Sequence, residues 1–237
     1  MKRFFSILCV LLMVFSMAAC NNNTHKPNDT TSPNNTESSV PVIDPNKDNL
    51  ISVEDFQTRL MNTAEIKNYT LACTHTLETE SNITLFKNDG LKTYQRFIQN
   101  IKNNDGAWVL NKNTEQYWDY NTMQTYVTKD GAWVSEAFTA TQTPDDMTVR
   151  QMLDSIVGPG FYDSLVANLH GFTYDAIKDE YRIADFTLVL DGETMVFEDI
   201  TLTITGTDLS TFSCKNGTQT LSFEINNLLL TTVNMPA

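Results

Sequence analysis

The sequence predicts an α+β fold made mostly of antiparallel β: a curved meander sheet, or half-barrel, with an N-terminal helix and a helical insert. Three observations predict it. Tyr69, Leu71, Cys73, His75 and Leu77 alternate with Thr70, Ala72, Thr74 and Thr76, the period-two signature of a strand with one apolar face. The hairpin dipeptides Asp89-Gly90, Asp105-Gly106, Asp130-Gly131, Asp191-Gly192 and Asn216-Gly217 recur among β-branched and aromatic runs. Between two sets of such runs lies a stretch with helical spacing. A two-sheet β-sandwich or a barrel with a filled core fits the same pattern, because alternation alone does not separate a filled core from a cavity.

The first element is a leader. Met1-Lys2-Arg3 is a short positive region, followed by an apolar run over 4–15 broken only by Ser6. A permanent membrane-spanning helix needs roughly 20 apolar residues, so the run suits a cleaved signal peptide over 1–19. Ala18-Ala19-Cys20 then resembles the bacterial lipobox, in which a diacylglyceryl thioether forms on the cysteine; Met17 departs from the commoner Leu. Cys20 is therefore the expected lipidation site. Two acyl chains meet the requirement for stable anchoring. The expected location is extracytoplasmic, on the cell membrane, or on the outer membrane if the cell has one.

The next segment, 20–49, carries the lipidated cysteine and a stretch rich in Asn, Thr, Ser and Pro. Such a composition cannot bury a core and predicts a disordered tether. At its end, Asp44, Asn46, Asp48, Ser52 and Asp55 approximate the oxygen ligands of an EF-hand calcium loop. Asn49 stands where Gly is usual, and Asp55 where a bidentate Glu is usual. Calcium is the one cofactor this pattern suggests. The competing reading makes Ser52 an N-cap and Asp55 part of an approximate capping box. Val53, Phe56, Leu60 and Ala64 then form one face of a helix over 52–66.

The globular domain spans 50–237. After the first strands, Asp105-Gly106-Ala107-Trp108-Val109 recurs as Asp130-Gly131-Ala132-Trp133-Val134, which predicts two similar turns. Thr148 and Gln151 form a capping box ahead of Val149, Met152, Leu153, Ile156 and Val157, and Gly158-Pro159-Gly160 ends that helix. Phe161, Leu165, Val166 and Leu169 suggest a second short helix. Strands are expected over 172–175, 180–183, 186–190, 194–198, 200–205, 209–215 and 218–225, with a last one over 228–233. A two-residue Asn216-Gly217 loop would pair Cys214 with Gln219 and Phe212 with Leu221. That places Cys214 on an apolar face, as Cys73 is on its own strand. The two are candidates for a disulfide, which an extracytoplasmic compartment permits; two buried free thiols are the alternative.

Cleavage removes Lys2 and Arg3 from a net charge of −13, leaving −15. So acidic a body excludes nucleic acid as a partner, since phosphate recognition rests on Lys and Arg. No nucleophile elbow, phosphate-binding glycine loop or His-Glu-x-x-His occurs, and no catalytic residue is assigned. His75 lies two residues from Cys73, too few ligands for a metal site of ordinary composition. Trp108, Tyr117, Trp118, Tyr120, Tyr126 and Trp133 crowd one stretch of the meander. Trp108, Trp118 and Trp133 are candidate ligand-contacting aromatics; cross-strand packing is the competing explanation.

The order of elements (helix, antiparallel strands, helical insert, antiparallel strands) behind a lipobox and tether resembles the LolA/LppX/LprG group of envelope lipoproteins and lipoprotein carriers. The resemblance covers about residues 50–237 and rests on element order and strand count. It implies a half-barrel closed by helices, a non-enzymatic role, and a lipid or other hydrophobic ligand. It transfers no functional residue. The alternative function is a tethered glycan- or protein-interaction module that uses exposed aromatics. Either way the expected partners are the membrane, through the anchor, and a hydrophobic ligand or envelope component.

Overall fold

The structure is a computed structural model that describes residues 52–140, 143–175, 177–190, 193–205 and 208–236. The signal peptide, Cys20, the tether, Asp44, Asn46, Asp48 and the Asp191-Gly192 turn lie outside these residues.

Helix α1 (Val53–Ala64) begins because Ser52 Oγ accepts a hydrogen bond from Asp55 N at 3.0 Å. Its Phe56, Leu60 and Ala64 recur every four residues and are buried. Six strands follow: β1 (Tyr69–Thr76), β2 (Glu80–Asn88), β3 (Lys92–Lys102), β4 (Trp108–Asp119), β5 (Gln124–Lys129) and β6 (Ala132–Ala137). A 3-10 turn (Pro144–Asp146) leads to α2 (Val149–Val157), whose capping box forms both bonds. Gln151 N donates to Thr148 Oγ1 at 3.3 Å, and Thr148 N to Gln151 Oε1 at 2.9 Å. Gly160, at φ +81, turns the chain into α3 (Phe161–Ala167). The return strands are β7 (Thr173–Asp175), β8 (Glu180–Leu190), β9 (Glu193–Thr205), β10 (Asp208–Asn216) and β11 (Gln219–Asn226).

All strands join one sheet in the order β6-β5-β4-β3-β2-β1-β11-β10-β9-β8-β7, and every pairing is antiparallel. Each half is a meander. The long-range step is β11 docking on β1, with Cys73 opposite Phe223. So many strands curl an open sheet rather than lie flat, and β6 and β7 remain as its two edges. The sandwich and closed-barrel alternatives are therefore set aside in favour of the expected half-barrel.

One face of the sheet is the core face. Leu221, Phe223 and Ile225 are buried while Ser222 and Glu224 between them are exposed. The helices pack mainly on β8 and β10. Phe161 is the centre of that layer, with its ring 5.3–6.4 Å from those of Phe186, Phe197, Phe212 and Phe223. Phe56 stacks on Tyr181 at 4.5 Å. Two polar ties fix the helices: Tyr162 donates its hydroxyl hydrogen to Leu60 O, and Leu209 N donates to Thr63 Oγ1 at 3.0 Å.

Three expectations are corrected. The breaks expected near 184–185 and at 199 do not end strands. β8 and β9 run through them, and at Asp199, φ +49, the chain accommodates an irregularity opposite β10, a β-bulge in place of a turn. The segment 228–233 is not a strand: it turns at 228–230 and is then held by Asn68 and Thr70. The last hairpin loop is Gly217-Thr218 rather than Asn216-Gly217, so Asn216 pairs with Gln219 and Cys214 with Leu221. Gly217, at φ +59, occupies the first central position, which suits a II′-type turn. The shift along the partner strand is two residues, so the assigned faces survive.

Candidate functional site

The concave face divides into two parts. Under the helices it is filled, and the contiguous apolar core ends at Phe86 on β2. Beyond Phe86 the same face continues over β3–β6, outside this contiguous core.

Register fixes which residues line it. Gln95 lies opposite Phe86 and Gln116, Gln116 opposite Val127, and Val127 opposite Val134. In the next rows Phe97 lies between Thr84 and Thr114, and Thr93 between Asn88 and Trp118. Gln116 Nε2 donates to Thr125 Oγ1 at 2.9 Å, and that hydroxyl donates to Tyr117 O at 3.0 Å. Lys112 Nζ stands 5.8 Å from the centre of the Phe97 ring. At one end an amide network forms on Glu80, whose Oε1 accepts from Asn82 Nδ2 at 2.6 Å and Gln99 Nε2 at 2.7 Å. Apolar rings and valines alternating with a few fixed polar groups are the composition of a site for an apolar molecule with a polar part.

A small recess lies at the amide end, lined by His75, Phe197, Cys214 and Gln219 among others, with room for about one water. His75 is buried, and its Nε2 lies 3.2 Å from Gln219 Oε1. Burial holds its pKa below the usual value, against the opposing pull of Gln219 and Glu80, so the ring is neutral at pH 7. Burial pushes the Cys214 thiol up to about 12. A neutral imidazole beside a protonated thiol is not an activated nucleophile. Among the described residues no group of three or more His, Cys, Asp and Glu could hold a metal ion.

The sequence-selected residues fall as follows. Ser52 Oγ is engaged by Asp55 N, and exposed Asp55 sits in the first turn of α1. Both therefore serve the helix cap; the remaining calcium-loop residues lie outside the described chain. Cys73 and Cys214 are both buried and are not joined by a disulfide. They share a face, but β11 lies between their strands. Two strand spacings of about 4.8 Å and a stagger of two residues put the two about 12 Å apart, beyond disulfide reach, so the candidate bridge does not form.

The three tryptophans are not brought together. Trp108, 45% exposed, begins β4 with Lys102 over its ring at 5.1 Å. Trp118, near the other end of β4, shares the concave face with Thr93 and Thr125. Trp133 lies on the convex face, where its ring meets Tyr117 edge-on at 5.2 Å. That face carries a cross-strand row the sequence reading missed in part: Lys87, Tyr94, Tyr117 and Tyr126 in register, with Tyr94 and Tyr117 rings 4.7 Å apart. The loop that sets this register is Gly90-Leu91, one residue on from the Asp89-Gly90 dipeptide, with Asp89 N donating to Lys92 O at 3.1 Å.

Among solved structures, the chain is similar to LprF from Mycobacterium bovis: 15% identical, with 78% of this chain and 97% of that chain covered, at a TM-score of 0.37. It is also similar to the Mycobacterium tuberculosis lipoprotein LppX: 12% identical, with 77% and 96% covered, at a TM-score of 0.33. No protein-family model and no curated protein matches the sequence.

Proposed function

We propose that this chain is a lipid-anchored cell-envelope protein that binds a hydrophobic or amphiphilic ligand and performs no chemistry on it. One observation supports the reading: the concave face runs past the contiguous apolar core onto β3–β6, where Phe97, Trp118, Val127 and Val134 lie among Gln95, Gln116 and Thr125. An apolar chain gains by leaving water for such a surface, while the amides offer partners to a polar end. Cys20 would carry the anchor and 20–49 the tether. Native mass spectrometry of the protein purified from membranes tests this: an adduct of lipid mass, displaced by a fluorescent fatty acid, is expected. Bare protein that does not bind the probe would refute it.

A second reading uses the convex face. The Tyr94–Tyr117–Trp133 contacts form an aromatic surface suited to stacking on a sugar ring or a partner side chain. Loss of glycan or partner retention in Trp133→Ala, with fatty-acid binding intact, would favour it.

A further inference from the structure

Buried polar residues on the inward face of a sheet are more informative than apolar ones. His75, Asn82, Gln99 and Lys112 stand opposite one another in turn on β1, β2, β3 and β4, a polar row on the concave face. The adjacent row is Cys73, Thr84, Phe97 and Thr114. The one after it runs from Phe86 through Gln95 to Gln116.

Asn82 has an unmet bond. It is 2% exposed, and among the described residues its Oδ1 is the one buried side-chain nitrogen or oxygen without a hydrogen-bond partner. Turning the amide over does not relieve this. Asn82 Nδ2 donates to Glu80 Oε1 at 2.6 Å, and a carboxylate accepts without donating, so the nitrogen must face Glu80 and the oxygen must face elsewhere. The same Oε1 accepts from Gln99 Nε2 at 2.7 Å, and Gln99 Oε1 accepts from Asn111 Nδ2 at 2.5 Å. Glu80 therefore sets the orientation of both amides. A buried acceptor left unmet costs stability, and its retention points to a group that meets it.

We propose that Asn82 Oδ1, positioned by Glu80, accepts the hydroxyl hydrogen of a lipid with a neutral alcohol head, a long-chain alcohol or an acylglycerol, whose chain lies along the Phe97 and Gln95 rows. A carboxylate or phosphate head would set acceptor against acceptor here and meet the charge of Glu80. An ammonium head would carry a full charge into a buried site and toward Lys112, two strands along the row. A hydroxyl donates to Asn82 at neither cost. The half-buried Gln99 opposite Asn82 is the side chain that turns outward to admit it. The inference rests on the hydrophobic-ligand reading and adds the head group that reading leaves open.

The test uses the chain that follows the leader, with Cys20→Ser so that no acyl group anchors it, loaded with a fluorescent fatty acid. Dodecanol, monolauroylglycerol and methyl laurate then compete for the probe. The better alcohol should compete at least about fivefold more strongly than the ester, whose head accepts but cannot donate, and which alcohol wins identifies the source of the hydroxyl. In Asn82→Leu, close to asparagine in shape, alcohols and ester compete alike, the ester at its parent strength, and the thermal midpoint does not fall. Glu80→Gln lets the Asn82 amide turn over and shrinks the same preference. A parent chain that treats alcohol and ester alike overturns the subsite, gives Asn82 to a buried water and leaves the hydrophobic-ligand reading standing. A preference that survives both substitutions overturns it too. So does an Asn82→Leu chain that melts earlier and loses ester and alcohol together, which makes Asn82 a folding residue. A parent chain that does not bind the probe refutes both ideas.

Discussion

Cys73 and Cys214 face the same core from β1 and β10, and the Phe223 and Leu221 strand runs between them. Neither thiol can reach the other, and burial keeps Cys214 protonated with its pKa pushed up to about 12. Intact-mass measurement after iodoacetamide treatment of the native chain at pH 8 is expected to find both unmodified. In denaturant without reductant both should be alkylated. A mass that gains the two groups only after reduction would reveal a bridge and contradict the strand order.

Phe161 touches four other phenylalanine rings and is fully buried. Phe161→Ala should destabilise by about 3–5 kcal/mol through lost transfer energy and a residual cavity. Trp108→Ala, at the exposed start of β4, should stay within about 0.5 kcal/mol of the parent. Urea unfolding measures both, and similar losses would mean that the helices do not seat as described.

His75 gives a pH dependence. Burial lowers its folded pKa below the unfolded value near 6.5. Above that value both states are neutral and its contribution is fully present. As pH falls below it, the unfolded state takes up the proton first, so stability declines until the folded ring also titrates. His75→Gln removes that proton. The fall in unfolding free energy between pH 7 and 5 should be smaller in the variant than in the parent; equal slopes would place the titration elsewhere.

Tyr162 anchors α3 to α1 through its hydroxyl on Leu60 O, and burial holds its pKa well above the usual phenol value. Tyr162→Phe keeps the ring and removes the donor. A loss of about 1–3 kcal/mol is expected, seen in thermal unfolding, with no change in strand content by circular dichroism.

Much of this fold was legible because local chemistry and tertiary structure agree. Thr148 and Gln151 cap α2 as their spacing requires, and Asp130-Gly131 forms a two-residue loop with both residues at positive φ. What was misread depends on neighbours. Asp199 looks like a strand end, yet β10 supplies a partner that tolerates it as a bulge and Lys215 pairs with it at 2.6 Å. Leu228–Val233 is an apolar and β-branched run like a strand, but Asn68 captures its backbone at a turn. The site was harder still. Alternation reports which residues share a face but not how far the helices reach across it, so the end of the contiguous core at Phe86 is visible only in the packing. The tryptophans illustrate the same limit: sequence proximity grouped three residues that register distributes over both faces and both ends of the sheet.

The central proposal is that ligand lies on the concave face over β3–β6, and Val127, paired with Gln116 and Val134 there, tests it most directly. Saturable binding of a fluorescent fatty acid by the parent chain is expected, with Val127→Asp weakening it at least about tenfold through the cost of placing charge against an apolar ligand, and Trp133→Ala on the opposite face leaving it unchanged. Binding that survives Val127→Asp, or falls equally in Trp133→Ala, would contradict the account.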